Sequence, residues 1–348
     1  MAKIKIAQYW GAGCGGCDVA LLDIDEKILG VAEIADIVFW PIAVDTKIKD
    51  LEAMPDKSIT ATLYNGAIRN SENEHMAKLL RQKSVLIVSF GSCACFGGIP
   101  GLANVTNAKA IFDYVYKQTF SSDQKNSTAP TVVPLVHAHM PEGDLELPTM
   151  YDTVLTLDQV IDVDYYMPGC PPTTNLINEF LGIVTAYLTE GVPLPPKGSV
   201  IASQKTLCDE CGRKKSGKSV DKIHLPFEID IDPEKCMLEQ GVICLGASTR
   251  GGCGAKCLEG NQPCRGCMGP TAEVMDQGGS MLSALASIFK VGEGEALLNE
   301  DQILEIMQQV KDPLGTFYAF TMPKSIIKRT VTEKGKKKKT EEAPKQEA

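Results

Sequence analysis

Apolar residues recur along the first half of the chain in two alternating patterns, one typical of strands and one typical of helices. The segment KIKIAQYW alternates polar and apolar positions, whereas SVLIVSFGS is the most apolar stretch. Buried strands are predicted at 3–10, 35–44, 58–66, 84–92 and 162–170. Helices are predicted at 18–29, 72–82, 107–117 and 173–189. This alternation predicts an α/β fold with a flavodoxin-like, doubly wound, mostly parallel sheet.

The strand and helix pattern ends at GVPLPPKGS, residues 191–199, whose prolines and glycines are typical of a linker. Within the first half, only 119–160 shows no clear pattern. The last residues, TEKGKKKKTEEAPKQEA, are charged and of low complexity, which predicts disorder. We therefore expect a flavodoxin-like domain, an irregular cysteine-rich domain and a disordered tail, at 1–195, 196–328 and 329–348.

The second half of the chain has a different character. Residues 205–272 contain eight cysteines and few apolar runs, so we expect bound ligands rather than a hydrophobic core to hold them together. Two helices are predicted after this region, at 281–290 and 300–310.

Composition and charge favour a metal-binding protein of the cytoplasm. The chain has 44 acidic and 35 basic residues, a net charge of −9, which argues against a general nucleic-acid binder. The sequence shows no secretion signal, no twin-arginine pair and no apolar run that could span a bilayer. In a reducing compartment, 13 cysteines are better explained as metal ligands than as disulfides.

Five cysteines of the first half follow predicted strands. Cys14 and Cys17 come after the first strand, Cys93 and Cys95 after the fourth, and Cys170 ends the last. Because the carboxyl ends of parallel strands share one edge of the sheet, these loops are expected to converge there. Four thiolates are what an iron–sulfur cluster requires, and Cys95 is interpreted as a small buried hydrophobic residue. A structural zinc could use the same four ligands, whereas a redox-active CxxC pair would leave Cys93 and Cys170 unexplained.

The remaining eight cysteines divide into two sets of four by their spacing, Cys208, Cys211, Cys236 and Cys244, and Cys253, Cys257, Cys264 and Cys267. Zinc modules would show the same spacing, so zinc and iron both stay open on this evidence. Three clusters in one chain would have an obvious use as an electron relay.

Residues 212–219 match the phosphate-loop pattern G-x-x-x-x-G-K-[ST]. A phosphate loop follows a buried strand and opens a helix, and neither is predicted here, so we interpret the match as false and expect no nucleotide at this segment. Its basic residues then form either a solvated surface loop or a docking site for an acidic partner: Arg213, Lys214, Lys215 and Lys218.

The motifs CGGC, GSCACFGG and PGCPP, in this order, resemble the small, electron-transferring subunit of nickel–iron hydrogenases, and the resemblance extends to about residue 325. It implies three [4Fe–4S] clusters. The proximal cluster would be held by Cys14, Cys17, Cys93 and Cys170. The distal cluster would be held by Cys208, Cys211, Cys236 and Cys244, where many family members have histidine at the first position. The medial cluster would be held by Cys253, Cys257, Cys264 and Cys267, with Cys257 replacing the proline that accompanies three-iron clusters.

The segments YWGAGCGGCDVALLD and PCRGCMGPT are most similar to the small subunit of the cytoplasmic viologen-reducing hydrogenase of methanogens. This resemblance implies a large subunit that carries the nickel–iron site, a small [2Fe–2S] subunit and heterodisulfide reductase as partners. It also implies a large apolar surface for the large subunit, and Asp18 is the nearest candidate for a proton-transferring carboxylate. No catalytic residue is assigned to this chain. The alternatives are a deazaflavin-reducing or sulfur-reducing hydrogenase, a related quinone-reductase subunit, and a zinc-stabilised structural protein.

Overall fold

A five-stranded parallel sheet organises the first half of the protein in a computed structural model that describes residues 3–121, 133–289 and 299–329. Its strands, in chain order, are β1 (Ile4–Trp10), β2 (Ala35–Phe39), β3 (Ile59–Asn65), β5 (Ser84–Phe90) and β9 (Tyr165–Met167). Their spatial order is β2-β1-β3-β5-β9, which is the doubly wound order of flavodoxin-like sheets. The predicted fold class is confirmed.

Helices cover both faces of this sheet, and further helices lie in the second half of the chain. In the first half they are α1 (Gly16–Leu22), α2 (Lys27–Ile34), α3 (Ile48–Ala53), α4 (Ser71–Lys83), α5 (Ser92–Phe96), α6 (Ala108–Lys117) and α7 (Thr174–Glu190). In the second half they are α8 (Lys256–Glu259), α9 (Gln277–Ile288), α10 (Glu300–Gln308) and α11 (Pro313–Phe317). Short 3₁₀ turns lie at Ile99–Val105, Leu157–Gln159, Leu207–Asp209, Leu238–Gln240, Leu245–Ser248 and Met322–Lys324. No helix within the described ranges is long and apolar enough to cross a membrane.

Three of the predicted elements differ clearly from the observed ones, and one of them, the strand expected at 162–170, consists only of Tyr165–Met167. The helix expected at 18–29 is two helices, because Asp25 between them adopts a left-handed conformation with φ of +54°. The strand expected at 35–44 ends at Phe39, where Pro41 begins a turn that the amides of Ala43 and Val44 close by donating to the Trp40 carbonyl.

The segment without a sequence pattern forms small β structures outside the main sheet. Strands β6 (His137–Met140) and β7 (Gly143–Glu146) make an exposed antiparallel hairpin. Strand β8 (Met150–Leu155) pairs antiparallel with β4 (Ile68–Asn70). The expected tail falls outside the described residues except for Arg329.

Contrary to expectation, the second half has a hydrophobic core of its own. Nineteen buried apolar residues of the described chain form one cluster there, many of them from irregular segments and the others from 3₁₀ turns and short helices. Met281 and Met322 are fully buried in it. The C-terminal segment then returns to the first half, where Pro323 packs on Gly97 and Gly101 and the Gly98 amide donates to the Phe320 carbonyl at 3.0 Å. The loop that follows β5 is therefore held by both halves of the chain.

Candidate metal centre

The first group of cysteines lies at the carboxyl edge of the sheet, in the loops that follow β1, β5 and β9. Burial raises the pKa of the Cys17 thiol, and the neighbouring Cys93, Cys170 and Cys14 raise it further. Burial also raises the pKa of Cys93 to about 12, with Cys170 and Cys14 adding to the shift. The three loops therefore converge as expected, and the role of these four thiols as ligands stays a prediction.

Two glycines allow the backbone to approach this group closely. Gly91 has φ of +86° and Gly98 has φ of +56°, conformations that residues with a side chain rarely adopt. A Cβ atom at Gly91 would lie 2.3 Å from the Sγ of Cys17, and one at Gly98 would lie 2.4 Å from the Sγ of Cys93. The thiols therefore fill the space that any other residue at these positions would need.

Asp18 follows Cys17 directly and is 1% exposed. Its carboxylate accepts hydrogen bonds from Trp40 Nε1 at 2.8 Å, from Asn65 Nδ2 at 2.8 Å and from Gln8 Nε2 at 3.3 Å. These donors belong to β1, to β3 and to the turn after β2, so the carboxylate joins the ends of three strands beside the first cysteine group. Sequence reasoning singled out Asp18 but missed Gln8 and Asn65, because no spacing marks the partners of a buried carboxylate.

Cys95 is completely buried, as expected of the spare cysteine. Its Sγ donates to the Ser89 carbonyl at 3.2 Å and receives the Ser89 hydroxyl at 3.3 Å. Burial raises the pKa of this thiol to about 12. These contacts hold the Cys95 side chain against β5, although it lies only two residues from Cys93.

The second group contains Cys208, Cys211, Cys236 and Cys244. Burial raises the pKa of Cys208, Lys215 opposes the shift, and Cys236 and Cys211 add to it. Burial raises the pKa of Cys244 to about 11, opposed by the amides of Gly246 and Cys264 and supported by Cys208 and Cys236. A Cβ atom at Gly246 would lie 3.5 Å from the Sγ of Cys208 and 3.7 Å from that of Cys244. The four cysteines therefore surround one region.

The third group contains Cys253, Cys257, Cys264 and Cys267. Burial raises the pKa of Cys267 to about 12, and Cys253 is the cysteine that contributes most to the rest of the shift. Burial likewise raises the pKa of Cys253, and its neighbour Cys257 adds to it. The Glu210 carboxylate accepts the amides of Gly252 and Gly254, which ties this loop to the loop of the second group.

Contacts between the groups place the third group between the other two. The Ser92 hydroxyl, next to Cys93, donates to the Cys267 carbonyl, which joins the loop of the first group to the third group. The Cys264 amide donates to the Sγ of Cys244 at 3.4 Å, which joins the third group to the second. The three groups therefore form a row from the sheet edge into the second half.

The phosphate-loop pattern has a different structure from that of a nucleotide site. The Ser216 and Gly217 amides and the Ser216 hydroxyl donate to the Glu239 carboxylate at 2.7 to 2.9 Å. Burial opposes ionisation of Glu239, but these donors hold its pKa below the ordinary value. Val220 then pairs with Phe289 in an isolated bridge instead of opening a helix. A carboxylate of the chain itself thus occupies the donors that a phosphate would need.

The basic loop is only partly a surface loop, which corrects the prediction for Arg213. Its side chain is buried, whereas Lys214, Lys215 and Lys218 are exposed. Lys214 pairs with Glu234 at 2.8 Å.

No group of three or more His, Cys, Asp or Glu side chains in the parts of the chain that the structure describes fits a single metal ion. In the exposed hairpin, His139 pairs with Asp144 across β6 and β7.

The doubly wound sheet with cysteines at its carboxyl edge is a fold and a site that suit the class of oxidoreductase subunits. In agreement, residues 14–184 match the family described as NADH ubiquinone oxidoreductase, 20 Kd subunit. The iron-sulfur subunit of the F420-non-reducing hydrogenase of Archaeoglobus profundus is 39% identical over 332 residues, which cover 94% of this chain and 98% of that protein. The corresponding subunit of the F420-non-reducing hydrogenase of Methanothermobacter thermautotrophicus is 36% identical over 338 residues, with 96% and 99% coverage. The chain belongs to this family of F420-non-reducing hydrogenase subunits.

Among solved structures, a chain of an NAD+-reducing [NiFe]-hydrogenase in the H2-reduced state is 29% identical, with a TM-score of 0.44. The match covers 53% of this chain and 91% of that chain.

Proposed function

We propose that this chain is the electron-relay subunit of a nickel–iron hydrogenase and that its three cysteine groups hold three [4Fe–4S] clusters. The observation that carries the proposal is the row of groups, joined by the hydrogen bonds of Ser92 with Cys267 and of Cys264 with Cys244. An electron relay needs redox centres that follow one another in space, whereas structural metal sites need no such spatial arrangement.

The donor set fits iron–sulfur clusters. Each group offers four thiols, and thiolate is the ligand that these clusters use. Amides point at several of the sulfurs, as at Cys14, whose Sγ receives the Gly16 amide at 3.4 Å. Hydrogen bonds of this kind stabilise thiolate charge and tune reduction potentials. Burial holds the pKa of most of these thiols high, so the positive charge of bound iron would have to offset the cost of deprotonation.

We assign the proximal cluster to the first group, the medial cluster to the third and the distal cluster to the second. When bound, the clusters would supply one-electron transfer away from dihydrogen oxidation at the large subunit. The protein side chains would position these clusters and restrict water around them. Trp10 supports this role at the first group, because its ring packs against Gly15 and its Nε1 donates to the Gly13 carbonyl at 3.1 Å.

The proposed partners are the hydrogenase large subunit, a small [2Fe–2S] subunit and heterodisulfide reductase. Exposed apolar side chains beside the first group support a large-subunit contact there: Val19 is 57%, Leu22 51% and Ile42 55% exposed. Patches of this kind mark protein interfaces. Both relatives described above are named as subunits of an F420-non-reducing hydrogenase, which argues against the deazaflavin-reducing alternative.

A variant that lacks the middle group tests the relay. We choose Cys253→Ala with Cys257→Ala, because Cys264 and Cys267 form hydrogen bonds to the neighbouring groups. In the complex with its large subunit, dihydrogen-driven viologen reduction should fall to background, while hydrogen–deuterium exchange at the nickel–iron site persists. The control is Cys95→Ala, which should keep both activities. Undiminished viologen reduction in the double variant would contradict the proposed relay.

A further inference from the structure

Arg213 connects the second and third cysteine groups from a buried position. Its side chain is among the buried charged residues, with 8% of its surface exposed. One guanidinium nitrogen, Nη1, donates to the carbonyls of Asp232 and Lys235 at 2.9 and 3.1 Å. The other, Nη2, donates to the Leu258 carbonyl at 2.9 Å and to Asn261 Oδ1 at 2.7 Å. Lys235 precedes Cys236 of the second group, and Leu258 follows Cys257 of the third.

The charge of Arg213 has only neutral partners. No Asp or Glu oxygen among the described residues forms an ion pair with it, and the neighbouring Asp232 carboxylate pairs with Lys235 instead. The Nε atom of Arg213 is buried and has no hydrogen-bond partner. Burying a charge is costly unless a counter-charge compensates it, and carbonyl oxygens supply only part of that compensation. The protein groups around Arg213 therefore compensate its positive charge only in part.

We infer that Arg213 is an internal counter-charge for the clusters of the second and third groups, and that it raises their reduction potential. The inference rests on the proposed iron–sulfur function. A four-iron cluster with four thiolates is anionic, and each added electron makes it more so. A buried cation between the two sites stabilises the reduced form most, because screening by water is weak there. Arg213 is thus a positioning residue, since it acts on the clusters through charge and through the carbonyls beside two ligands.

The test compares Arg213→Gln, which removes the charge, with Arg213→Lys, which keeps the charge but loses the forked geometry. Lys214→Gln is the matched control, because it makes the same charge change one residue away at an exposed side chain. Each variant is purified anaerobically as the complex. Iron and sulfide content report whether the clusters are present, and redox titration followed by electron paramagnetic resonance reports their midpoint potentials.

We expect Arg213→Gln to shift the equilibrium of the medial or distal cluster at least tenfold toward the oxidised form, which is 59 mV for a one-electron couple. Lys214→Gln should leave both potentials near those of the unaltered protein. Full iron content with unmoved potentials in Arg213→Gln overturns the inference. If Arg213→Gln loses iron, the Arg213→Lys variant decides between the two explanations. Potentials equal to those of the unaltered protein in Arg213→Lys would support the role of the charge, whereas loss of iron in this variant too would overturn the inference. Absence of iron from the unaltered protein would instead contradict the proposed function itself.

Discussion

Cys93 and Cys95 lie two residues apart in α5 and have opposite surroundings. Cys93 faces the first cysteine group, where Cys170 and Cys14 raise its pKa after burial. Cys95 points into the strand layer and exchanges hydrogen bonds with Ser89. The two residues therefore form a natural pair for separating ligation from packing.

Cys93→Ala should cost the protein about four iron atoms, because one ligand of a cluster is lost. Cys95→Ala should keep all the iron and lower the free energy of unfolding by about 1 kcal/mol, since it leaves only a small cavity. Iron analysis and chemical denaturation measure the two effects. Equal iron loss in both variants would contradict the assignment of Cys95 as the spare.

Gly91→Ala should remove the proximal cluster, because the added methyl group would overlap the Sγ of Cys17. Gly191→Ala is the matched control: Gly191 also has positive φ, +71°, but no atom lies within 4 Å of an added Cβ. It should cost about 1 kcal/mol of stability from backbone strain alone and keep its iron. Full iron content in Gly91→Ala would show that the close approach is dispensable.

At the residue scale, the sequence predicted roles that depend on local chemistry and missed roles that depend on partners distant in the chain. The cysteines after strands could be grouped because parallel strands end at one edge. The basic run around Arg213 predicts a surface loop, and for Arg213 itself that prediction is wrong. Its burial depends on the carbonyls of Asp232 and Leu258, 19 and 45 residues away, which carry no sequence signal.

At the scale of elements, the sequence patterns predicted β1, β3 and β5 and the helices α4, α6, α7 and α10 to within two residues at each end. The pattern failed at 18–29, where Asp25 adopts a left-handed conformation and divides the helix in two. The apolar spacing continues across Asp25, so the sequence does not reveal the break. The patterns also missed β6 and β7, which are short and largely exposed, and β8, which pairs with β4 outside the main sheet. Short elements of this kind bury too little to leave a periodic signature.

Asp164 joins several elements at the amino end of β9. Its carboxylate accepts Arg81 Nη1 at 2.6 Å, Lys197 Nζ at 2.5 Å and the Ile87 amide at 2.8 Å. Burial opposes ionisation, but these partners, Lys197 foremost, hold the pKa of this carboxyl below its ordinary value. The ion pairs should therefore stabilise the fold above about pH 4, the pKa of an unfolded aspartate, and fade as the pH falls further.

Asp164→Asn should lower the free energy of unfolding at pH 7 by about 2–3 kcal/mol, less than for a fully buried pair because Lys197 is exposed. Below about pH 4 the difference from the unaltered protein should narrow, since the carboxylate becomes protonated there. Denaturation at both pH values measures this. The control is Asp162→Asn, an exposed neighbour; a pH-independent difference for Asp164→Asn would argue against the ion pairs.

At the scale of the whole molecule, cysteine counting predicted three sets of four but could not order them in space. The row seen here depends on hydrogen bonds between Ser92 and Cys267 and between Cys264 and Cys244, which join distant parts of the chain. The core of the second half was missed because its apolar residues stand singly among turns, without a period. The domain bounds drawn at the linker stay a prediction, and the return of Pro323 onto the first half ties the two parts together.

The most direct test of the iron–sulfur assignment is the iron, sulfide and zinc content of the chain purified natively under strict exclusion of oxygen. Three four-iron clusters predict about twelve iron and about twelve sulfide per chain, with little zinc. About two or three zinc per chain without sulfide would contradict the account, and the cysteine groups would then be structural metal sites.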